Sequence, residues 1–121
     1  MKQTVLTVDD SRTMRSMLSH YLVDAGYNVV TAEDGADGVR KLEENDADII
    51  ITDINMPIMD GFEFIEQVRG GVKNSRLPIL VLTTESDQEK RDRARKAGAT
   101  GWIVKPFDPD KLITAVRRVA P

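Results

Sequence analysis

Three carboxylates, two hydroxyls and an ammonium group follow short apolar runs in this 121-residue sequence. Asp9 and Asp10 come directly after TVLTV, Asp53 after IIIT, Thr83 and Thr84 after ILVL, and Lys105 after WIV. Compact runs of this kind read as strands buried on both faces, and parallel strands collect ligand chemistry at their carboxyl ends. Three carboxylates brought together repel one another, so a cation is wanted among them. Oxygen donors suit a hard divalent ion, and magnesium takes a few carboxylates while keeping waters and phosphate oxygens as its other ligands. With a lysine beside it, such a set is suited to phosphoryl transfer.

Each residue also has a plain structural explanation. Asp9-Asp10-Ser11 could cap a helix, because side-chain oxygens at that position accept hydrogen bonds from free amide groups. Asp53-Ile54-Asn55 could be turn chemistry, Thr83-Thr84 a strand end passing into a cap, and Lys105-Pro106 a strand stop. Their convergence at one sheet edge is what caps and turns do not explain. Composition narrows the chemistry further. There is no cysteine, hence no disulfide, thiolate metal site or cysteine nucleophile, and the lone His20 cannot form a histidine metal cluster. A net charge of −3 offers no general attraction for nucleic acid or anionic lipid. No apolar run is long enough to span a membrane, and the first ten residues lack a signal-peptide core. A cytoplasmic monomer with neither nucleic-acid nor membrane partner is expected.

The elements that must position these residues alternate in period. Thr4 to Val8, Ile49 to Ile51, Ile79 to Leu82 and Trp102 to Val104 read as strands buried on both faces, while the mixed Tyr27 to Ala32 suits an edge strand. Met14, Met17, Leu18, Tyr21, Leu22 and Ala25 recur at helical spacing up to Gly26, with the two methionines as core filler. Ala36, Val39 and Leu42 mark a second helix, and Phe62, Ile65 and Val68 a third that ends at Gly70-Gly71. From Asp87 to Ala97 only Ala94 and Ala97 are apolar, so the fourth helix should bury little surface and be held less firmly. Asp108-Pro109 reads as a cap and first turn, with Leu112, Val116 and Val119 as the buried stripe of the last helix. Five strands alternating with five helices give an α/β fold, an open parallel sheet covered on both faces. At this length one domain, residues 1–121, is expected.

VDDSRTMR, DINMPIMDG, LVLTT and WIVKPF, in this order and spacing, resemble the receiver domain of bacterial response regulators in two-component systems. The resemblance covers essentially the whole chain and is strongest to stand-alone chemotaxis regulators of the CheY type. It implies a flavodoxin-like (βα)5 sandwich with strand order 2-1-3-4-5, an order documented for that very family, and no output domain. It implies that Asp53 is the phosphoacceptor, taking the group from phosphohistidine of a sensor histidine kinase or from a small acyl phosphate. Mg2+ would be held directly by Asp10, Asp53 and the backbone carbonyl of Asn55, and by Asp9 through water. Lys105 would neutralise phosphoryl oxygens, Thr83 would bond one of them, and the Lys105-Pro106 peptide would be cis. Asn55 and Glu85 match side chains that influence how fast water removes the group. Thr83 and the aromatic position, here Trp102 instead of the usual tyrosine, phenylalanine or histidine, would form the switch. The implied partners are the kinase, an effector such as the flagellar motor switch, and a phosphatase.

The remaining features point elsewhere. His20 reads as a surface residue, the charged run Lys90 to Lys96 as a solvated helix face, and Gly70-Gly71 and Gly98 as helix terminators. Trp102 taken by itself would be a packing or interface aromatic. Three functions compete: a phosphorylation-switched binding module, a phosphate sink or phosphorelay carrier, and an aspartate-nucleophile phosphatase. The last needs an aspartate two residues beyond the nucleophile, where Asn55 stands, so an enzyme acting on other molecules is not expected.

Overall fold

The computed structural model describes residues 2–121. In chain order the elements are β1 (Thr4–Val8), α1 (Arg12–Asp24), β2 (Asn28–Ala32), α2 (Gly35–Glu44) and β3 (Ile49–Thr52), followed by α3 (Gly61–Gly70), β4 (Ile79–Thr83), α4 (Gln88–Ala97), β5 (Gly101–Val104) and α5 (Pro109–Val119). The strands form one parallel sheet in the order β2-β1-β3-β4-β5. Chain order and spatial order part company at the β1/β3 boundary, the switch point at which an open α/β sheet leaves a crevice at its carboxyl edge.

Every helix starts on a side-chain cap. Ser11 Oγ accepts the Met14 N–H, and Asp34, Asp60, Asp87 and Asp108 cap α2, α3, α4 and α5 in the same way. Each cap supplies a partner for an amide that the helix cannot satisfy itself, worth about 1 kcal/mol. Alternation along the strands then builds two cores. Leu6, Val8, Ile50 and Val81 face Leu42, Phe62, Phe64, Ile65, Val68 and Ala94 of α2, α3 and α4. Val5, Ile49, Ile51, Leu80 and Leu82 face Leu18, Leu22, Leu112 and Val116 of α1 and α5. Ala94 is the single buried residue of α4, as its composition foretells.

Two expectations are corrected. Met17 is not core filler: it is 40% exposed on the outer side of α1, and only Met14 packs partly against the core. The spacing allowed both, but the apolar stripe of α1 is satisfied by Leu18 and Leu22. Nor is β5 buried on both faces. It pairs only with β4 and closes the sheet as an edge strand whose residues are partly covered, with Val104 exposed. A run of three apolar residues does not distinguish a central strand from an edge covered mainly on one side.

Candidate functional site

The carboxyl edge of the sheet is held by backbone pairing that runs one residue past the strands. Asp9 N–H donates to Ala32 O (3.0 Å), Asp53 N–H to Val8 O (2.9 Å) and Lys105 N–H to Thr83 O (2.7 Å). Asp9, Asp53 and Lys105 are therefore fixed by the sheet itself although they lie outside it. Carboxylate oxygens of Asp9, Asp10 and Asp53 lie within 4.8 Å of one another. Asp9 is 2% exposed, Asp53 is buried and Asp10 opens to solvent. Lys105 Nζ reaches into the cluster, 2.8 Å from Asp9 Oδ2 and 2.8 Å from Asp53 Oδ2. The Lys105-Pro106 peptide is cis.

The other oxygens of the two buried carboxylates are also occupied. Asp9 Oδ1 accepts the Ser11 N–H (2.9 Å), and Asp53 Oδ1 accepts the Ile54 N–H (2.6 Å). Burial raises the Asp9 carboxyl above the usual carboxylate range, although the bonds from Lys105 and Ser11 pull it down. For Lys105, burial works to lower the pKa, but hydrogen bonds from its ammonium to Asp53 and Asp9 prevail and raise it. Lys105 is therefore a firm cation at neutral pH. One ammonium does not balance three carboxylates, and the oxygen-only donor set fits a hard divalent ion.

Around the cluster lie the hydroxyl, amide and aromatic groups. Thr83 is buried, and its Oγ1 accepts the Glu85 N–H (3.3 Å). Asn55 Nδ2 donates to Glu85 Oε1 (2.8 Å), and Lys90 Nζ lies 3.0 Å from the same oxygen. The hydrogen bonds from Asn55, then from Lys90, hold the Glu85 carboxyl below its ordinary range. Trp102 is partly buried against the α2–α4 core, and its indole N–H donates to the Glu85 carbonyl (3.1 Å). The structure thus gathers Asp9, Asp10, Asp53 and Lys105 into one cluster and links Thr83, Asn55, Glu85 and Trp102 at its rim. His20 stands apart on α1, exposed and edge-on to Tyr21.

Sequence reasoning missed two residues that shape the site. Gly61 opens α3 directly behind Asp53, where a Cβ would run into the Asp53 carbonyl and lie 2.7 Å from Ile54 Cα. The Asp60-Gly61 pair, a cap followed by a glycine, is a signal that could have found it. Arg15 Nη1 donates to the Asp9 carbonyl (2.7 Å), tying α1 to the turn that carries Asp9 and Asp10. A side chain that reaches back to a backbone carbonyl six positions earlier leaves no residue pattern in the sequence, because every residue offers a carbonyl.

Comparison with known proteins decides the family. The model of the response regulator receiver domain matches residues 5–117. The chain belongs to this family. Among curated relatives, the chemotaxis protein CheY1 of Helicobacter pylori is 41% identical over 110 residues, which cover 89% of each chain. The solved structure of the chemotaxis protein CheY4 of Vibrio cholerae is 48% identical and superposes with a TM-score of 0.94 over 98% of this chain and 99% of that one. The receiver domain of the sensor histidine kinase PA1611 of Pseudomonas aeruginosa, 28% identical, superposes with a TM-score of 0.90 over 98% of each chain, and its structure holds a magnesium ion in the active-site cleft. The present receiver domain is of the CheY type, a phosphorylation-switched response regulator whose strand order and sandwich match those solved folds. None of its described helices is long and apolar enough to cross a membrane.

Proposed function

We propose that Asp53 is the phosphoacceptor, taking its phosphoryl group from a phosphohistidine of a sensor histidine kinase and switching the protein's partner binding in chemotaxis. The observation that supports this most is the Lys105 ammonium shared between Asp53 and Asp9 inside a cluster of three carboxylates. Asp9, Asp10 and Asp53, with the Asn55 carbonyl, would hold Mg2+, which supplies positive charge to the transferring phosphoryl group when bound.

The chain's own residues do the rest. An Asp53 carboxylate oxygen attacks phosphorus in line, the bond from phosphorus to the donor's histidine nitrogen breaks, and the nitrogen keeps the electron pair. A carboxylate nucleophile has no proton to lose, so no general base is needed. Lys105 exchanges one carboxylate contact for a phosphoryl oxygen and neutralises charge in a loose transition state, where positioning and electrostatics carry the catalysis. Thr83 donates its hydroxyl to another phosphoryl oxygen and in doing so releases the Glu85 N–H. Asn55 and Glu85 set the access of water and thereby the lifetime of the product. The protein assists its own phosphorylation and dephosphorylation and transforms no other substrate.

In this reading Trp102 follows Thr83, and α4, β5 and α5 present a changed surface to an effector such as the flagellar motor switch, within the cytoplasm. A pull-down from the source cell with and without acyl phosphate tests it. Capture of a partner only after phosphorylation is the expected result. Phosphorylation with no dependent partner would contradict the switch and leave a phosphate sink.

A further inference from the structure

Glu85 joins four parts of the molecule. Its N–H donates to Thr83 Oγ1 at the end of β4, its carbonyl accepts Trp102 Nε1 of β5, and its Oε1 accepts both Asn55 Nδ2 from the loop after β3 and Lys90 Nζ from the first turns of α4. Lys90 is the one charged member of this set besides Glu85 itself, and it comes from the helix that buries least. Its pairing with Glu85 is partly exposed, with side-chain exposures of 40% and 27%, so as a contribution to folding it is small.

Its importance changes once Asp53 carries a phosphoryl group. That group adds about two negative charges beside a carboxylate already present at the rim. Repulsion would drive Glu85 outward and break the Asn55–Glu85 contact, exposing the aspartyl phosphate to water. An ammonium bonded to the same Glu85 oxygen cancels that repulsion and holds the side chain where Asn55 meets it.

We propose that Lys90 is a positioning residue for dephosphorylation: by neutralising and holding Glu85, it keeps the Asn55–Glu85 bridge closed at the rim and prolongs the phosphorylated state. The inference rests on Asp53 being the phosphoacceptor. Lys90 acts through Glu85 and touches no reacting atom.

The test measures the decay of Asp53 phosphate after labelling with acetyl phosphate and removal of the donor. Lys90→Met, which keeps the apolar stem, should shorten the lifetime about two- to fivefold, the range of a partly exposed ion pair. Lys90→Arg should restore it. Raising the salt to about 1 M should shorten the wild-type lifetime toward that of Lys90→Met and leave the variant nearly unchanged, because screening removes what the mutation removes. In a Glu85→Gln background Lys90→Met should have no further effect. Thermal melts of the variants should coincide with wild type, which a merely structural role would not predict alongside a changed lifetime. If Lys90→Met labels normally and its phosphate lasts as long as in wild type, the inference is overturned alone. If no protein labels, wild type included, the phosphoacceptor reading falls and takes this inference with it.

Discussion

Replacing Lys105 by methionine removes the only cation, among the described residues, bonded to the buried carboxylates of Asp9 and Asp53, while keeping a side chain of similar length. In the wild-type structure Lys105 is 10% exposed and meets both Asp9 and Asp53 at 2.8 Å. Removing one partner of a buried pair typically costs about 3–5 kcal/mol, because the remaining charge is left uncompensated. Ser11 and Ile54 amides still serve the other oxygens, and Asp10 opens the cluster to water, so the expectation here is about 2–4 kcal/mol. The pH dependence fixes the sign. Asp9 already has its folded pKa raised above 3.8 by burial, with Lys105 opposing the rise, and loss of Lys105 raises it further. A carboxyl whose folded pKa is raised destabilises the fold when ionised, and that penalty fades as pH falls from above the folded pKa toward 3.8. Lys105 itself, with a folded pKa raised above 10.5, stabilises below that pH and ceases to do so as pH rises through the folded value. The gap between wild type and variant should therefore be widest near neutral pH and shrink in both directions. Urea unfolding in EDTA, followed by circular dichroism across pH, measures it, and added Mg2+ should recover part of the loss in the variant. A variant as stable as wild type at neutral pH, or a gap that widens on acidification, would refute the electrostatic reasoning.

Three further outcomes are expected. Mg2+ with beryllofluoride, a phosphoryl mimic, should shift the emission of Trp102, and Thr83→Ala should bind the mimic with a diminished shift; equal shifts would remove Thr83 from the switch. Thr7 is buried with no hydrogen-bond partner for its hydroxyl among the described residues, so Thr7→Val should stabilise the protein by about 1 kcal/mol and raise the melting temperature by about 3–5 °C; destabilisation would mean that the hydroxyl is satisfied. Arg69 donates to the carbonyls of Ser75, Leu77 and Gly98 and so ties the end of α3 to the end of α4; Arg69→Ala should cost about 2–3 kcal/mol and speed hydrogen exchange in the last turn of α4, and Arg69→Lys should not restore it, because one ammonium cannot replace the planar fork. Unchanged exchange there would contradict a pinned helix end.

Much of this molecule was legible because strand ends and caps leave local marks. The runs that form β1, β3, β4 and β5 are largely apolar, and each ends in or is followed at once by a polar residue, so Asp9, Asp53, Thr83 and Lys105 could be placed at one edge before any contact was known. The strand order itself came from family resemblance, since periodicity does not say which strand lies beside which. Met17 misled because helical spacing permits more apolar positions than the core needs, and β5 because an edge strand with a packed inner face is nearly as apolar as a central one. The hub at Glu85 and the clamp by Arg69 were invisible for a different reason. Each includes contacts across more than fifteen positions, from Glu85 to Trp102 and Asn55 and from Arg69 to Gly98, through backbone carbonyls or a shared oxygen, and these leave no spacing in the sequence.

Phosphorylation of Asp53 is the point on which the rest depends. Intact-mass measurement of wild type and Asp53→Asn after incubation with acetyl phosphate and Mg2+, with a parallel sample in EDTA, tests it directly. Wild type should gain one phosphoryl group in Mg2+ and none in EDTA, and Asp53→Asn should gain none under either condition. A phosphoryl group on Asp53→Asn would show that the acceptor lies elsewhere, and full labelling of wild type in EDTA would show that the carboxylate cluster does its chemistry without a divalent ion.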